Sequence, residues 1–110
     1  MAAGAAIYFD NCAACHQSDG SGVAGMFAVL DGSNKVNSDD PTTVIRIILE
    51  GAQAKPTEAR PTPFGMPAYH WKLDDDQIAD LVSYLRAAWR NRAGPIDAAT
   101  VADLRETLLE

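Results

Sequence analysis

Five consecutive residues, Cys12-Ala13-Ala14-Cys15-His16, hold both cysteines of the chain and one of its two histidines. Two thiols at this spacing can reach the two vinyl groups along one edge of a porphyrin. The residue that follows is then placed beneath the ring, with an imidazole for the iron. This is the c-type haem attachment pattern. Other chemistry open to a Cys-x-x-Cys pair asks for more. A redox dithiol normally caps a helix in a strand–helix–strand setting, and no strand pattern is visible here. A structural zinc site takes four ligands, and His16 and His70 could complete one only at irregular spacing. The residues point to one covalent haem c with its iron, held by Cys12 and Cys15 and ligated by His16.

The sixth iron position has four candidates, His70 and the three methionines. Met1 is terminal and reads as an added start codon. Met26 follows closely after His16. Met66 lies far along the chain in Phe64-Gly65-Met66-Pro67-Ala68-Tyr69. There Gly65 lets the backbone come close, and Pro67 stiffens the loop that presents the sulfur. Thioether ligation suits a haem iron and raises its potential; without a haem, Met66 would be a gap-filling core methionine. Met66 is the expected ligand. His70 is its main rival, and is otherwise a surface or interface histidine.

Positioning these groups falls to helices. One is expected over residues 3–11, running into Cys12. A second is announced by Asp40 as cap with Pro41 at the first helical position, continues through Thr42 to Glu50, and stops at Gly51. A third has Asp74 as cap and Gln77 three residues on, the capping-box pattern. Its apolar residues Ile78, Leu81, Val82, Leu85, Ala88 and Trp89 keep one face. A fourth follows Gly94-Pro95, with Asp97 as cap and a stripe of Val101, Leu104 and Leu108. Residues 17–25 and 53–67 read as loops, the second carrying four of the six prolines. A loop that long in a compact domain usually has a ligand to wrap. The fold class is all-α, with helices and long irregular loops around one haem. Residues 1–92 form the main domain, and 93–110 a C-terminal helical extension packed on it.

Bulk properties narrow the function. The formal charge of −6, from nine basic and fifteen acidic residues, argues against nucleic acid and against an anionic membrane surface, both of which need clustered Lys and Arg. The longest strongly apolar run, residues 44–49, is interrupted by Arg46, so no membrane-spanning segment is expected. Residues 1–9 lack the basic and apolar regions of a signal peptide. Haem attachment of this kind occurs outside the bacterial cytoplasm, so the chain is expected to be a mature form, or a domain cut from a longer exported protein.

Beyond the haem motif, residues 3–90 resemble class I cytochromes c. Gly4 and Tyr8 look like that family's N-terminal helix, where a small residue and an aromatic pack on a partner helix; Leu81, Tyr84 and Leu85 look like the partner. Gly65-Met66-Pro67 looks like its axial-methionine loop. A narrower resemblance, to cytochrome subunits of membrane-bound alcohol, gluconate, aldehyde or flavin-dependent sugar dehydrogenases, is carried by three stretches. They are Gly25-Met26-Phe27-Ala28-Val29-Leu30 with Gly32-Ser33, residues 66–73, and Ala88-Trp89-Arg90-Asn91. Those subunits commonly hold three such domains in a row, and this chain is most similar to a last one. The stretch 93–109 also fits that group's tail. The relatives carry prolines where this chain has Ala28 and Val29. The resemblance implies that the carbonyl of residue 28 accepts the Nδ1 proton of the ligand histidine, which a backbone carbonyl of Ala28 can do as well.

The resemblance implies electron transfer through a His16/Met66-ligated haem, with no substrate chemistry. The donor would be a periplasmic dehydrogenase or another haem domain, and the acceptor a cytochrome, quinone site or oxidase. The location would be periplasmic or exported, or membrane-associated through a larger subunit. A peroxidase-type enzyme or a gas sensor would instead need an open iron position. Of the remaining residues, Arg46 is expected either to reach a haem propionate or to form an exposed salt bridge. Tyr69 and Trp71 are expected as pocket or core aromatics, and Asp74, Asp75 and Asp76 as a helix start favoured by the dipole.

Overall fold

The structure is a computed structural model that describes residues 2–23, 28–53, 58 and 65–108. Met26, Phe27 and Phe64, and much of the proline-rich stretch, lie outside the described residues. The elements in order are α1 (Ala2–Asn11), α2 (Ala13–His16), α3 (Asn34–Asn37), α4 (Thr42–Glu50), β1 (Ala52–Gln53), β2 (Gly65–Met66), α5 (Asp75–Ala87) and α6 (Ala98–Leu108). Among the described residues the fold is all-α apart from β1 and β2, which pair antiparallel with Ala52 opposite Met66. Among the described residues, no helix is long and apolar enough to cross a membrane.

The central element is α5, and local chemistry explains where it starts. The Asp74 carboxylate accepts from the Gln77 backbone N–H at 2.8 Å, and the Gln77 side chain accepts from the Asp74 N–H at 2.9 Å. Two otherwise orphaned donors are thereby satisfied. Asp75 and Asp76 fill the first turn and Arg86 the last, each at the dipole end that favours its charge. One face of α5 buries Ile78, Leu81, Val82 and Leu85. Against it lie α1, α6 and α4. On α4 the buried set is Val44, Ile45, Ile48 and Leu49. Its outward Arg46 meets Glu50 at 3.6 Å with both side chains about half exposed. A pair this exposed is of little energetic consequence. The Asp40 carboxylate accepts from the Thr42 N–H at 3.0 Å and its hydroxyl at 2.6 Å, and these bonds hold its carboxyl below the ordinary carboxylate range. The helix itself starts at Thr42, with Pro41 at its boundary. Asp40 is thus one residue outside the expected cap position, whereas Asp97 does cap α6, through the Thr100 N–H at 2.9 Å and hydroxyl at 2.8 Å.

Contact between α1 and α5 is closest at Gly4. A Cβ built there would lie 2.2 Å from the Asp80 carbonyl oxygen and 2.7 Å from the Tyr84 Cβ. In an isolated helix Gly→Ala would gain about 1 kcal/mol. Here the obstacle is the backbone of another helix, which cannot step aside. Gly4→Ala is expected to destabilise the holoprotein by about 2 kcal/mol, as overpacking does, lowering the thermal midpoint by roughly 10 °C. A midpoint equal to wild type would show that the helices separate freely.

Three further features differ from the sequence expectation. The third helix stops at Ala87, short of Ala88 and Trp89. Ala88 is extended and Trp89 has φ +54°. The indole leaves the helix to pack edge-on against Tyr8 and Tyr84, at centroid distances of 5.3 and 6.0 Å, and its Nε1–H donates to the Ser18 carbonyl. Trp71 is not a core aromatic: it is 73% exposed. Lastly, the two-residue strands and the short helices α2 and α3 carry no periodicity long enough to be read.

Candidate functional site

Cys12 lies at the joint between α1 and α2. Its N–H closes the last turn of α1 onto the Tyr8 carbonyl at 2.8 Å, and its own carbonyl accepts from the His16 N–H at 3.0 Å. The Cys-x-x-Cys-His segment is therefore one helical turn set on the end of α1, with Cys12 buried, Cys15 exposed and neither in a disulfide. Burial, and then the neighbouring Cys15, push the Cys12 thiol up to about 11. That is opposite to the lowered thiol of a reactive dithiol. Among the described residues, no group of three or more His, Cys, Asp or Glu side chains could hold a metal ion.

The His16 Nδ1 lies 2.8 Å from the Ala28 carbonyl oxygen. A carbonyl only accepts, so Nδ1 carries the proton and Nε2 keeps the lone pair that can bind iron. The loss of a proline at position 28 leaves this bond in place. The strand of chain that supplies the carbonyl is anchored just beyond it. Leu30 N–H donates to the Gly20 carbonyl at 2.7 Å. Asn91, fully buried, accepts on Oδ1 from Gly32 N–H at 2.7 Å and Asn37 Nδ2 at 2.8 Å. Its own Nδ2 donates to the carbonyls of Leu30 at 3.1 Å and Leu85 at 2.7 Å. Every donor and acceptor of that amide is used. Arg90 adds a 3.0 Å pair with Asp31. The segment leading from His16's partner is thus fastened to the end of α5.

Met66 is half-buried and packs against the core from β2. Three contacts fix the backbone around it. Gly51, at φ +80°, allows a close approach: a Cβ there would lie 2.5 Å from the Met66 carbonyl oxygen. The last carbonyls of α4, which have no partner within their own helix, are taken by this segment. Ile48 accepts from Tyr69 N–H at 2.9 Å and Leu49 from His70 N–H at 3.2 Å. On the opposite side, the Tyr69 hydroxyl donates to the Asn11 carbonyl at 3.0 Å and Lys72 Nζ to the Asn11 side chain at 2.6 Å. Tyr69 therefore links the Met66 segment to the residue before Cys12. Its phenol is pushed up by burial, and then by Cys12 and Cys15. His70 is exposed and enters these ties through its backbone.

The donor set fits a covalent haem: two free thiols three residues apart on one helical turn, an imidazole whose Nδ1 bonds the Ala28 carbonyl, and a thioether on a braced segment. Sequence reading missed Arg105, which spans from α6 to this segment: its Nη1 donates to the His70 carbonyl at 2.7 Å and its Nη2 to the Leu73 carbonyl at 2.8 Å. The available signal was its spacing, four residues after buried Val101 on the inward face of α6.

A family model described as Cytochrome c matches residues 1–89. The chain is 40% identical over 106 residues to the alcohol dehydrogenase (quinone), cytochrome c subunit of Gluconobacter oxydans (strain 621H), covering 96% of this chain and 22% of that protein. It is 40% identical over 108 residues to the gluconate 2-dehydrogenase cytochrome c subunit of Pantoea cypripedii, covering 94% and 24%. It is 32% identical over 84 residues to the cytochrome c6 of Leptolyngbya boryana, covering 76% and 87%. The chain thus spans under a quarter of each of those two dehydrogenase subunits.

Proposed function

The chain belongs to the cytochrome c family, and from that premise we propose that it carries single electrons through one covalently held haem c and performs no substrate chemistry. Cys12 and Cys15 would hold the group by thioethers, and His16 Nε2 and Met66 Sδ would take its axial positions. Bound there, the iron supplies a one-electron couple. The chain supplies constancy around it. The hydrogen bond from His16 to the Ala28 carbonyl, the observation that carries this reading, fixes the ring tautomer and orientation and raises ligand basicity. The braces on the Met66 segment keep the sulfur in place in both oxidation states. The count of one haem rests on a single Cys-x-x-Cys-His motif that uses both cysteines.

Residues 1–92 would be the haem domain, and 93–110 the extension that covers it. The names of the relatives suggest an electron donor of the dehydrogenase class, or another haem domain of a longer subunit. The acceptor would be a cytochrome, a quinone site or an oxidase, and the setting periplasmic or exported, with membrane association through a larger subunit. Electrons would pass near exposed Cys15 and the small residues beside it, through a contact at the low end of interface sizes.

The test is chemical and spectroscopic. Acid-acetone treatment of denatured protein should leave the colour on the chain, and intact mass should equal the polypeptide plus one haem. On mixing with carbon monoxide, the ferrous spectrum should change only slowly, at the rate at which the sulfur leaves the iron. Freely extracted haem refutes attachment, and a carbon monoxide adduct formed within the mixing time refutes the closed site.

A further inference from the structure

The helix α6 lies beyond the residues matched by the family model, yet it reaches the segment that carries Met66. We propose that α6 is a clamp on that segment and that Arg105 is the positioning residue through which it acts, holding the Met66 sulfur in register with the iron. The inference rests on Met66 being the distal ligand, as read above.

One planar guanidinium makes three charge-assisted bonds. Nη1 donates to the His70 carbonyl at 2.7 Å and Nη2 to the Leu73 carbonyl at 2.8 Å. Nε donates to the Asp75 carboxylate at 2.7 Å. The first two acceptors belong to the chain leading away from Met66, and the third to the first turn of α5. Arginine's fixed fork suits three acceptors at once, which an ammonium on a flexible stem cannot match. The side chain is 20% exposed, so these bonds are partly shielded from water.

Behind the segment there is room to move. A cleft lined by Leu49, Glu50, Ala68, His70, Arg105 and Leu108 separates the end of α4 from α6. Ala68 and His70 border this open space, and Arg105 ties α6 to the His70 and Leu73 carbonyls beside it. The remaining braces come from β1, paired with β2 at Met66 itself, and from α4 and α1. Those from α4 and α1 act at Tyr69, His70 and Lys72 through donors of the segment, while the His70 and Leu73 carbonyls are held from α6 by Arg105. With the guanidinium gone, the His70 and Leu73 carbonyls lose their partner, and the segment can swing into the cleft and carry the sulfur from the iron.

The experiment uses the holoprotein with four substitutions, Arg105→Ala, Arg105→Lys, Val101→Ala and Met66→Ala. Val101 is fully buried on α6, so its truncation loosens the helix without touching the guanidinium contacts. Carbon monoxide association with the ferrous protein reports opening of the sulfur–iron bond. The sulfur-to-ferric-iron charge-transfer band reports its presence. Arg105→Ala should speed carbon monoxide association by about tenfold, the factor set by one charge-assisted hydrogen bond, and weaken the band on mild warming. Arg105→Lys should fall between Arg105→Ala and wild type. Val101→Ala should lower the thermal midpoint and leave the association rate near wild type. If Val101→Ala speeds association as much as Arg105→Ala, or if Arg105→Ala leaves both readouts unchanged while Met66→Ala abolishes the band, the clamp is refuted and Met66 ligation stands. If the wild-type band is absent or survives Met66→Ala, the ligand assignment fails and the clamp with it.

Discussion

Met66→Ala holoprotein is expected to lose the sulfur-to-ferric-iron charge-transfer band, bind carbon monoxide when reduced, and show a lower reduction potential. Thioether sulfur favours ferrous iron. A fall on the order of 100 mV corresponds to roughly 2.3 kcal/mol of lost ferrous preference, at ~59 mV for each tenfold change in a one-electron couple. Alanine leaves the segment's backbone ties intact, because Tyr69 and His70 donate to α4 through main-chain N–H groups and Tyr69 reaches Asn11 through its hydroxyl. The effect should therefore be confined to the iron, with a helical spectrum close to wild type. His70→Ala is the decisive control. That side chain is exposed, and its removal should leave the band and the potential in place. A band that survives Met66→Ala, or low-spin ferric character lost with His70→Ala, reverses the assignment.

What could be read from the sequence was chemistry confined to a few neighbouring residues. Asp74 and Gln77 meet because a capping box closes within one turn. Cys12, Cys15 and His16 share a turn for the same reason. The bond from His16 to Ala28 came from resemblance, not from spacing, since nothing local marks residue 28 as an acceptor. Trp89 continued the apolar face of α5 in the sequence. Its ring is drawn off the helix by Tyr8 and Tyr84, partners far along the chain, and tertiary packing overrides periodicity there. Arg105 and Asn91 were illegible for a different reason. Their partners are mostly backbone carbonyls and N–H groups, which every residue possesses and no residue type announces. Of the two settings expected for Trp71, the protein core is the one it does not take. A large aromatic beside a ligand loop invites a core assignment, but its Nε1–H turns back to the Ala68 carbonyl at 2.9 Å and the ring faces outward.

The same chain made without haem is expected to lack a stable fold. The fully buried apolar side chains among the described residues are Tyr8, Val36, Ile45, Leu49, Ile78, Leu81, Val82 and Val101, a thin core for so many connecting loops. Helices as short as α1 and α4, ten and nine residues, do not stand alone in water, where isolated helices under about 12–15 residues are marginal. They need a common surface to pack on. Ordering costs about 1.5 kcal/mol per residue, and a small core barely offsets that. A group bound only by the folded chain adds its binding free energy to stability. Attachment at Cys12 and Cys15, as proposed, would keep that contribution from being lost by dissociation. Wild-type polypeptide produced under conditions that prevent haem attachment, and Cys12→Ala/Cys15→Ala protein, should both show much-reduced helical circular dichroism and no cooperative melt, where the holoprotein melts cooperatively. The unsubstituted apoprotein matters most, because Cys12 is itself buried and its truncation alone loosens packing. A sharp, native-like transition in that apoprotein would show that α1, α4 and α5 hold together unaided, and that the haem is a passenger on a fold already complete.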